Sequence, residues 1–552
     1  MKQLLFLIGL LLTTASVAAD NKQAAIASAH PLATQAGFEI LELGGNAFDA
    51  AIAVSAALAV VEPTGSGLGG GGFWLLHRAS DGFQTMIDGR ETAPNAAHQD
   101  MYLDSNGDVD KRLSLDGPLA AGIPGVPAAL DHLSKHYGRL SLQQTLAPAI
   151  RYAEQGFKVT KHFQKLASFR LEALTASADA QAIFLRTSSN NPIPELGTLI
   201  IQSQLATTLK QLALHGRDGF YQGDIAQKLV DSVQKSGGIW TLADLENYQI
   251  KQRTPISTSY KGYKVSSAAL PSSGGIVLTS MLNQLEQFPL ATMGPVQRKH
   301  IIVETMRRAY FDRSRYLGDS DFISVPNKQL TAKSYAKTLA SSIDPHQATA
   351  NQSLPLNDAA KGEDTTHFSI IDNEGNRVAA TLSINYPFGS AFVAQGTGVL
   401  LNDEMDDFSA QVGSANVYGL TGNGANAIAA NKRPLSSMTP TFIENDQRLM
   451  IIGTPGGSRI ITMVLLGILD FVDGHDAISI VSQPRFHHQY SPNKIQLEST
   501  GFSQNEVEEL QLRGHETELL SRQYGNMQVI IKTASQINAA SDPRGEGFSD
   551  VR

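Results

Sequence analysis

The pattern of hydrophobic and polar positions predicts alternating helices and short strands, with one prominent β-hairpin. Residues 364–372 and 378–385 are rich in Thr, Ile, Phe and Val, and polar residues with Gly375 separate them, so we predict two strands joined by a turn. Residues 344–364 are polar, contain prolines and lack a hydrophobic period, which predicts an exposed loop before the hairpin. Thr365 therefore lies where a loop meets a core strand.

The same pattern predicts the other main elements. Residues 46–61 are Ala-rich and almost entirely apolar, and Asn46 can cap their first turn, which indicates a buried helix. We predict a strand over Tyr260–Val265. Residues 409–434 form a long irregular stretch, which is typical of a lid or a binding loop. Further helices are predicted near 128–137, 141–155, 204–215, 222–237, 276–287 and 297–316.

A glycine-rich stretch follows the first buried helix. Gly65, Gly67 and Gly70 match the spacing G-x-G-x-x-G. A dinucleotide site needs the order strand, glycines, helix, whereas here the order is helix, glycines, strand. We therefore expect no cofactor, and we interpret the glycines as backbone that passes close to a substrate or to another strand.

Composition and charge exclude several classes of protein. The chain has 552 residues, a formal net charge of −8 and no basic block, so it lacks the electrostatic pattern of a nucleic-acid-binding protein. It contains no cysteine, which excludes disulfides, thiolate catalysis and cysteine-ligated metals. No metal site is expected. Length alone favours two to four domains.

The N-terminus is typical of an exported protein. Lys2 precedes a short apolar run, residues 4–12, and small residues follow it, which predicts a signal peptide cleaved after Ala18 or Ala19. The run is too short to span a bilayer, and no cysteine follows it that could carry a lipid anchor. We expect residues 1–19 to be removed and the mature protein to be periplasmic or secreted, in a bacterium.

Candidate chemistry centres on Thr365. A cut before this residue would give the threonine a free α-amine, which can act as a base for its own hydroxyl. Arg90 follows a predicted strand, at a position where functional residues often lie. Gly456 and Gly457 open a predicted helix whose first N–H groups can bind an anion. The acidic cluster at 403–407 is either a solvated loop or part of the site.

Several ordered motifs together resemble those of one family. They are Gly44–Ala51, Gly65–Gly72, Arg90–Pro94, Pro271–Gly275, Thr365–His367, Leu401–Phe408, Pro434–Met438, Pro455–Arg459 and Pro484–His488. In this combination the chain resembles the γ-glutamyltranspeptidases, which are N-terminal-nucleophile hydrolases. The resemblance implies an α+β fold, a four-layer αββα sandwich, and it replaces the estimate of several domains.

The resemblance also implies a self-processing precursor. Thr365 would attack the carbonyl of Asp364 and cleave the chain between the two residues. Residues 20–364 would form a large subunit and residues 365–552 a small one. The two subunits would remain interlocked as a heterodimer in a single αββα domain.

By the same resemblance, Thr365 of the cleaved chain attacks the γ-glutamyl amide of a small molecule such as glutathione. Water, an amino acid or a peptide then resolves the ester. Ser383, at a position that often carries threonine, would assist the nucleophile, and Gly456 and Gly457 would form the oxyanion hole. The other implied roles are Arg90, Ser436 and Ser437 for the substrate α-carboxylate, Asn385, Glu404 and Asp407 for the α-ammonium, and Tyr418 for the lid.

Two alternatives remain at this stage. A sibling in the same family, an acylase for glutaryl-type cephalosporin side chains, would not need an acid for an α-ammonium, so Asp407 and the lid favour the γ-glutamyl enzyme. An exported binding protein with this fold but without catalysis would not need Thr365 or the Gly456-Gly457 pair. We expect no nucleic-acid partner and no membrane anchor.

Overall fold

The computed structural model describes residues 23–186, 191–350 and 365–552, the last range without 412, 414 and 423. The predicted signal peptide and Asp364 lie outside the described residues. The helices are α1 (Pro31–Glu42), α2 (Ala47–Val61), α3 (Lys111–Leu115), α4 (Val126–His136), α5 (Leu142–Gln155), α6 (Lys161–Phe169), α7 (Leu171–Ala176), α8 (Ala178–Phe184), α9 (Ser203–His215), α10 (Asp218–Tyr221), α11 (Gly223–Lys235), α12 (Leu242–Asn247), α13 (Gly274–Leu285), α14 (Pro295–Tyr316), α15 (Asn327–Leu330), α16 (Lys333–Ser341), α17 (Ile460–Val472), α18 (Ala477–Ser482) and α19 (Gln504–Leu512).

Two antiparallel sheets form the centre of the molecule. The first has the order β20-β1-β9-β10-β2-β3-β6, and the second has the order β19-β18-β14-β13-β8-β7. The strands are β1 (Ala25–Ser28), β2 (Gly71–Arg78), β3 (Phe83–Gly89), β4 (Phe157–Lys158), β5 (Leu199–Ile200), β6 (Lys251–Arg253), β7 (Ile256–Tyr260), β8 (Tyr263–Ser267), β9 (Thr366–Ile371), β10 (Arg377–Ser383), β11 (Val393–Ala394), β12 (Val399–Leu400), β13 (Thr441–Glu444), β14 (Arg448–Gly453), β15 (Phe486–His487), β16 (Ile495–Glu498), β17 (Thr517–Leu520), β18 (Gln528–Thr533), β19 (Ile537–Ser541) and β20 (Phe548–Val551).

The alternation of side chains along the strands builds four layers. Phe73 of β2 and Ile451 of β14 point into the core between the two sheets. Their neighbours Trp74 and Ile452 point the other way. Trp74 belongs to the hydrophobic cluster that includes residues of α1, α2 and α4, and Ile452 belongs to the cluster that includes residues of α13, α14 and α17. Because successive residues of a strand face opposite sides, each sheet buries both faces. The αββα sandwich predicted from the family resemblance is confirmed.

The local predictions are largely confirmed. Helix α2 is buried along its whole length, and Asn46 and Asp49 form a capping box at its start. Strands β9 and β10 form the predicted hairpin. The prediction of one strand over Tyr260–Val265 is wrong, because Lys261 and Gly262 form a turn between β7 and β8. Both turn residues have positive φ, 48° and 83°, which matches a two-residue hairpin turn.

The glycine-rich stretch lies against the hairpin, as predicted. A Cβ on Gly70 would lie 2.2 Å from the carbonyl oxygen of Ser383, and one on Gly65 would lie 3.2 Å from the carbonyl oxygen of Thr365. The distance at Gly70 leaves no room for a Cβ, so only glycine allows that approach, whereas the contact at Gly65 is tight. The glycine-rich stretch thus packs against the backbone of Ser383 and Thr365.

We predict that Gly70→Ala displaces the end of β10 and slows self-cleavage. Its methyl group would meet backbone rather than a movable side chain, and such overpacking costs about 1–3 kcal/mol. The control is Gly294→Ala, since nothing lies within 4 Å of a Cβ at that position. A thermal unfolding midpoint and a cleavage rate equal to those of the control would contradict this explanation.

Candidate active site

Thr365 and Ser383 are brought together by the register of the hairpin. Thr366 pairs with Leu382 in the β9–β10 ladder, so the preceding and following residues face each other where the ladder ends. The Thr365 Oγ1 and Ser383 Oγ atoms are 3.3 Å apart, and both residues are buried. The Asn385 amide donates to Ser383 Oγ at 2.8 Å. Either hydroxyl can be the donor in the contact between Ser383 and Thr365, and Ser383 also forms a hydrogen bond with the Glu404 carboxylate.

The loop between β14 and α17 carries the two glycines predicted for the oxyanion hole. Gly456 and Gly457 have φ of 136° and 54°, in the left-handed region that favours glycine. A Cβ on Gly457 would lie 2.3 Å from the Tyr418 ring. Gly457 lines the same cavity as Thr365, whereas Gly456 is not among the lining residues.

Arg90 lies at the centre of the charged part of the site. Its Nη1 atom is 2.7 Å from the Glu404 carboxylate, and its Nη2 atom donates to Asp407 Oδ2 at 2.5 Å. Its Nε atom donates to the carbonyl oxygen of Pro434 at 3.2 Å. The structure thus pairs the predicted carboxylate-binding cation directly with two predicted ammonium-binding anions. The sequence did not indicate this pairing.

Burial makes these carboxylates unusual. Burial raises the pKa of Glu404 to about 7, although Arg90 opposes the rise. Burial and then Glu404 raise the pKa of Glu91 well above its ordinary value. Among the described residues, neither carboxylate oxygen of Glu91 has a hydrogen-bond partner. Three acidic side chains therefore surround one guanidinium, and burial raises the pKa of two of them, Glu91 and Glu404.

Asn385 and the predicted lid are joined by a hydrogen bond. Asn385 has φ of 73°, which asparagine tolerates better than most residues. The Tyr418 hydroxyl donates to the Asn385 carbonyl oxygen at 2.7 Å. Asn416 donates to Asp407 Oδ1 at 2.9 Å, and the Val417 amide donates to Asp406 at the same distance. The predicted lid segment therefore contacts the candidate site through Asn385, Asp406 and Asp407, and Asp407 contacts both this segment and Arg90.

Ser436 and Ser437 lie on a loop that packs against α13 and α14. The Met438 amide donates to Ser436 Oγ at 3.1 Å. Arg313 on α14 donates from Nη2 to Ser437 Oγ at 3.2 Å. Ser273 donates from Oγ to the Ser436 carbonyl oxygen at 2.7 Å. The sequence pattern of α14 gave no sign of the arginine's contact with the site.

One small cavity, of about 20 Å³, brings these residues together. This volume holds about one water molecule. Among the described residues, no cluster of three or more His, Cys, Asp or Glu side chains could hold a metal ion. The lining residues are Arg90, Thr365, Ser383, Asn385, Glu404, Asp407, Tyr418, Leu420, Ser436, Ser437, Met438, Gly457 and Ile460.

Several known proteins are similar to this chain in sequence or in structure. A glutathione hydrolase proenzyme of Escherichia coli (strain K12) is 41% identical over 530 residues, which cover 95% of this chain and 90% of the relative. A crystal structure of Helicobacter pylori γ-glutamyltranspeptidase superposes with a TM-score of 0.57 at 41% identity, over 58% of this chain and 92% of that one. A cephalosporin acylase from Bacillus halodurans superposes with a TM-score of 0.84 at 27% identity, over 96% and 95% of the two chains.

The family assignment rests on the length of the match as well as on the site. The sequence model described as gamma-glutamyltranspeptidase matches residues 33–551. That range includes the β9–β10 hairpin, the loop with Gly456 and Gly457, and the predicted lid segment. The chain belongs to the γ-glutamyltranspeptidase family.

Proposed function

We propose that the chain is a self-processing γ-glutamyltransferase and glutathione hydrolase with Thr365 as its N-terminal nucleophile. The observation that carries this proposal is the single cavity in which Thr365, Arg90 and Asp407 meet. Processing would leave residues 20–364 and 365–552 as a heterodimer, after removal of residues 1–19. The order β1-β9-β10-β2 supports this, since each part supplies strands between those of the other.

The self-cleavage begins with the hydroxyl of Thr365. Its oxygen attacks the Asp364 carbonyl carbon, the peptide C–N bond breaks, and the Thr365 nitrogen takes up the proton as an ester forms. Water then hydrolyses the ester to a free carboxylate on Asp364 and a free hydroxyl and α-amine on Thr365. The proposed role of Ser383 is to hydrogen-bond Thr365 Oγ1 during this exchange, for which the 3.3 Å separation is suitable.

Acylation uses the amine that the cleavage creates. The Thr365 amine accepts the hydroxyl proton while the oxygen bonds to the γ-carbonyl carbon of the donor. The N–H groups of Gly456 and Gly457 would stabilise the oxyanion, an effect that typically contributes about 10²–10³ in rate per donor. The C–N bond then breaks, and the departing amine leaves with the proton. Water or the amine of an amino acid or peptide resolves the γ-glutamyl ester.

The charged residues would select the amino-acid end of the donor. Three of the five guanidinium N–H groups of Arg90 already contact Pro434, Glu404 and Asp407, and its Nη1 atom also lies 3.6 Å from Glu91, so the substrate α-carboxylate would share the guanidinium with these groups. Ser436 and Ser437 would donate to the same carboxylate. Glu404, Asp407 and Asn385 would receive the α-ammonium, and Tyr418 would close over the bound donor.

The pH dependence of donor capture should reflect Glu404. Only its ionised form attracts an ammonium, and its pKa is raised to about 7, so kcat/KM should rise as pH increases through about 7. The same shift makes the contribution of Glu404 to the free energy of unfolding fall as pH rises from about 4.5 to 7, because in this range the folded state binds more protons than the unfolded state. Profiles for wild type and Glu404→Gln from pH 5.5 to 9 test this. An unchanged acidic limb in the variant would assign that limb to another group.

Release of aniline from a γ-glutamyl anilide, with and without an acceptor dipeptide, tests the function. We expect release in both cases and faster release with the acceptor. A glutaryl anilide, which lacks the α-ammonium, should be a far poorer donor, because it leaves the acidic groups around Arg90 without a cation. Preference for the glutaryl compound would favour the acylase alternative.

Export of the mature protein is part of the proposal and rests on the N-terminal sequence. Within the described ranges, we find no helix with the length and apolar character needed to cross a membrane. N-terminal sequencing of the large subunit from a periplasmic or culture fraction tests the site of signal-peptide cleavage. We expect the mature chain to begin at Ala19 or Asp20.

A further inference from the structure

One face of helix α14 contacts two loops of the candidate site. The Tyr310 hydroxyl donates to the carbonyl oxygen of Ser458, next to Gly457. Arg313, three residues later, donates to Ser437 Oγ at 3.2 Å. Residues three apart share one face of a helix. Helix α14 precedes the predicted cut, whereas both loops follow it, so this contact crosses between the two future subunits.

Arg313 is a buried cation with hydroxyl groups as its neighbours. It is 6% exposed, and its Nε atom donates to Ser273 Oγ at 3.0 Å. In the described part of the chain, no carboxylate forms an ion pair with it, and Asp407 acts on it only from a greater distance. A buried charge without a counter-ion is costly. Arg90 differs, because it forms ion pairs with three acidic side chains, Glu91, Glu404 and Asp407.

The contact with Arg313 fixes the direction of the Ser437 hydroxyl proton. A guanidinium can only donate hydrogen bonds, so Ser437 Oγ must accept the bond from Nη2. The single proton of Ser437 then remains for another acceptor. Ser273 has the same arrangement of hydrogen bonds. It accepts a hydrogen bond from Arg313 and donates its own proton to the Ser436 carbonyl oxygen. Ser437 lines the cavity that also contains Arg90, so its proton is available to an anion there.

We infer that Arg313 is a positioning residue for donors that carry a free α-carboxylate. It holds Ser437 as a hydrogen-bond donor and supplies the positive charge that the occupied Arg90 only partly provides. This inference rests on the proposed function and deepens it by assigning specificity to a residue outside the cavity lining. The site should discriminate strongly between a γ-glutamyl donor and the same donor with its α-carboxylate converted to a carboxamide.

The test compares Arg313→Met, Arg313→Lys and wild type with two anilide donors, the α-carboxylate and the α-carboxamide. We expect Arg313→Met to raise KM for the carboxylate donor about 10- to 100-fold, as expected for loss of a charge-assisted hydrogen bond, with a smaller change in kcat. The value of kcat/KM for the carboxamide donor should stay within about twofold of wild type. Lysine keeps a charged donor, so Arg313→Lys should recover most of the loss. Arg315→Met, an exposed position on the same helix, is the matched control and should leave both donors unaffected.

A double-mutant cycle of Arg313→Gln with Ser437→Ala keeps the inference testable if Arg313→Met does not yield two chains. Ser437→Ala alone should weaken only the carboxylate donor, and Arg313→Gln should cost much less in the Ser437→Ala background than in wild type, because both changes act on one contact. Equal losses for both donors, or additive losses in the cycle, would overturn the inference. Active wild type with such a result overturns this inference alone, whereas wild type that releases no aniline overturns the proposed function as well.

Discussion

Thr365→Ala should yield a single uncut chain with kcat lowered by at least about 10⁴-fold. The variant lacks Thr365 Oγ1, the atom that attacks Asp364 during cleavage and carries the γ-glutamyl group during turnover. Loss of a nucleophile typically lowers kcat by a factor of this size or larger. The fold should persist, because Thr365 immediately precedes β9 and the ladder begins at Thr366. Denaturing gels and anilide release measure the two effects.

The neighbouring threonine provides the matched control. Thr366 Oγ1 is buried and, among the described residues, has no hydrogen-bond partner. Thr366→Val preserves its shape and removes only the hydroxyl, so cleavage and turnover should continue at rates close to wild type. Cleavage of Thr365→Ala at the same bond would refute the assignment of the nucleophile.

Arg90→Met should reduce kcat/KM for γ-glutamyl donors by at least about 100-fold and also destabilise the protein. The change leaves Glu404 and Asp407 without their buried counter-ion, and removing one partner of a buried ion pair costs about 3–5 kcal/mol. The sequence alone predicts only weaker substrate binding. Kinetics together with the thermal unfolding midpoint separate the two effects.

The pH dependence of Arg90→Met distinguishes its two roles. Arg90 lowers the pKa of Glu404, so without the guanidinium Glu404 is easier to protonate and the stability deficit should shrink as pH falls from 8 towards about 5. Arg90→Lys keeps the charge but not the forked geometry, and it should recover stability better than it recovers donor binding. A thermal midpoint equal to wild type at pH 8 would contradict the counter-ion role.

Local patterns predicted much of the fold. The alternation in residues 364–385 and the capped apolar run after Asn46 are decided by nearest neighbours, so the hairpin and α2 were predictable. The turn at Lys261-Gly262 was missed because Tyr260 on one side and Tyr263 and Val265 on the other all favour a strand, although the alternation breaks at Lys261-Gly262 and Gly262 is a turn signal. The layering itself came from the family resemblance rather than from periodicity.

The candidate site was predictable as a set of residues but not as a network. Motif resemblance named Arg90, Glu404 and Asp407, yet their direct pairing depends on tertiary packing that no spacing encodes. The contacts of Arg313 with Ser437 and of Asn416 with Asp407 join residues that are distant in sequence or lie in an irregular loop. The roles assigned to the individual side chains remain predictions.

The most direct test of the account is the intact mass of the purified protein before and after mixing with a γ-glutamyl donor. We predict two chains, of which the smaller begins at Thr365 and gains the mass of one γ-glutamyl group when the reaction is quenched early. Proteolytic fragments should place that group on Thr365. A single full-length chain, or a γ-glutamyl group on any other residue, would contradict the account.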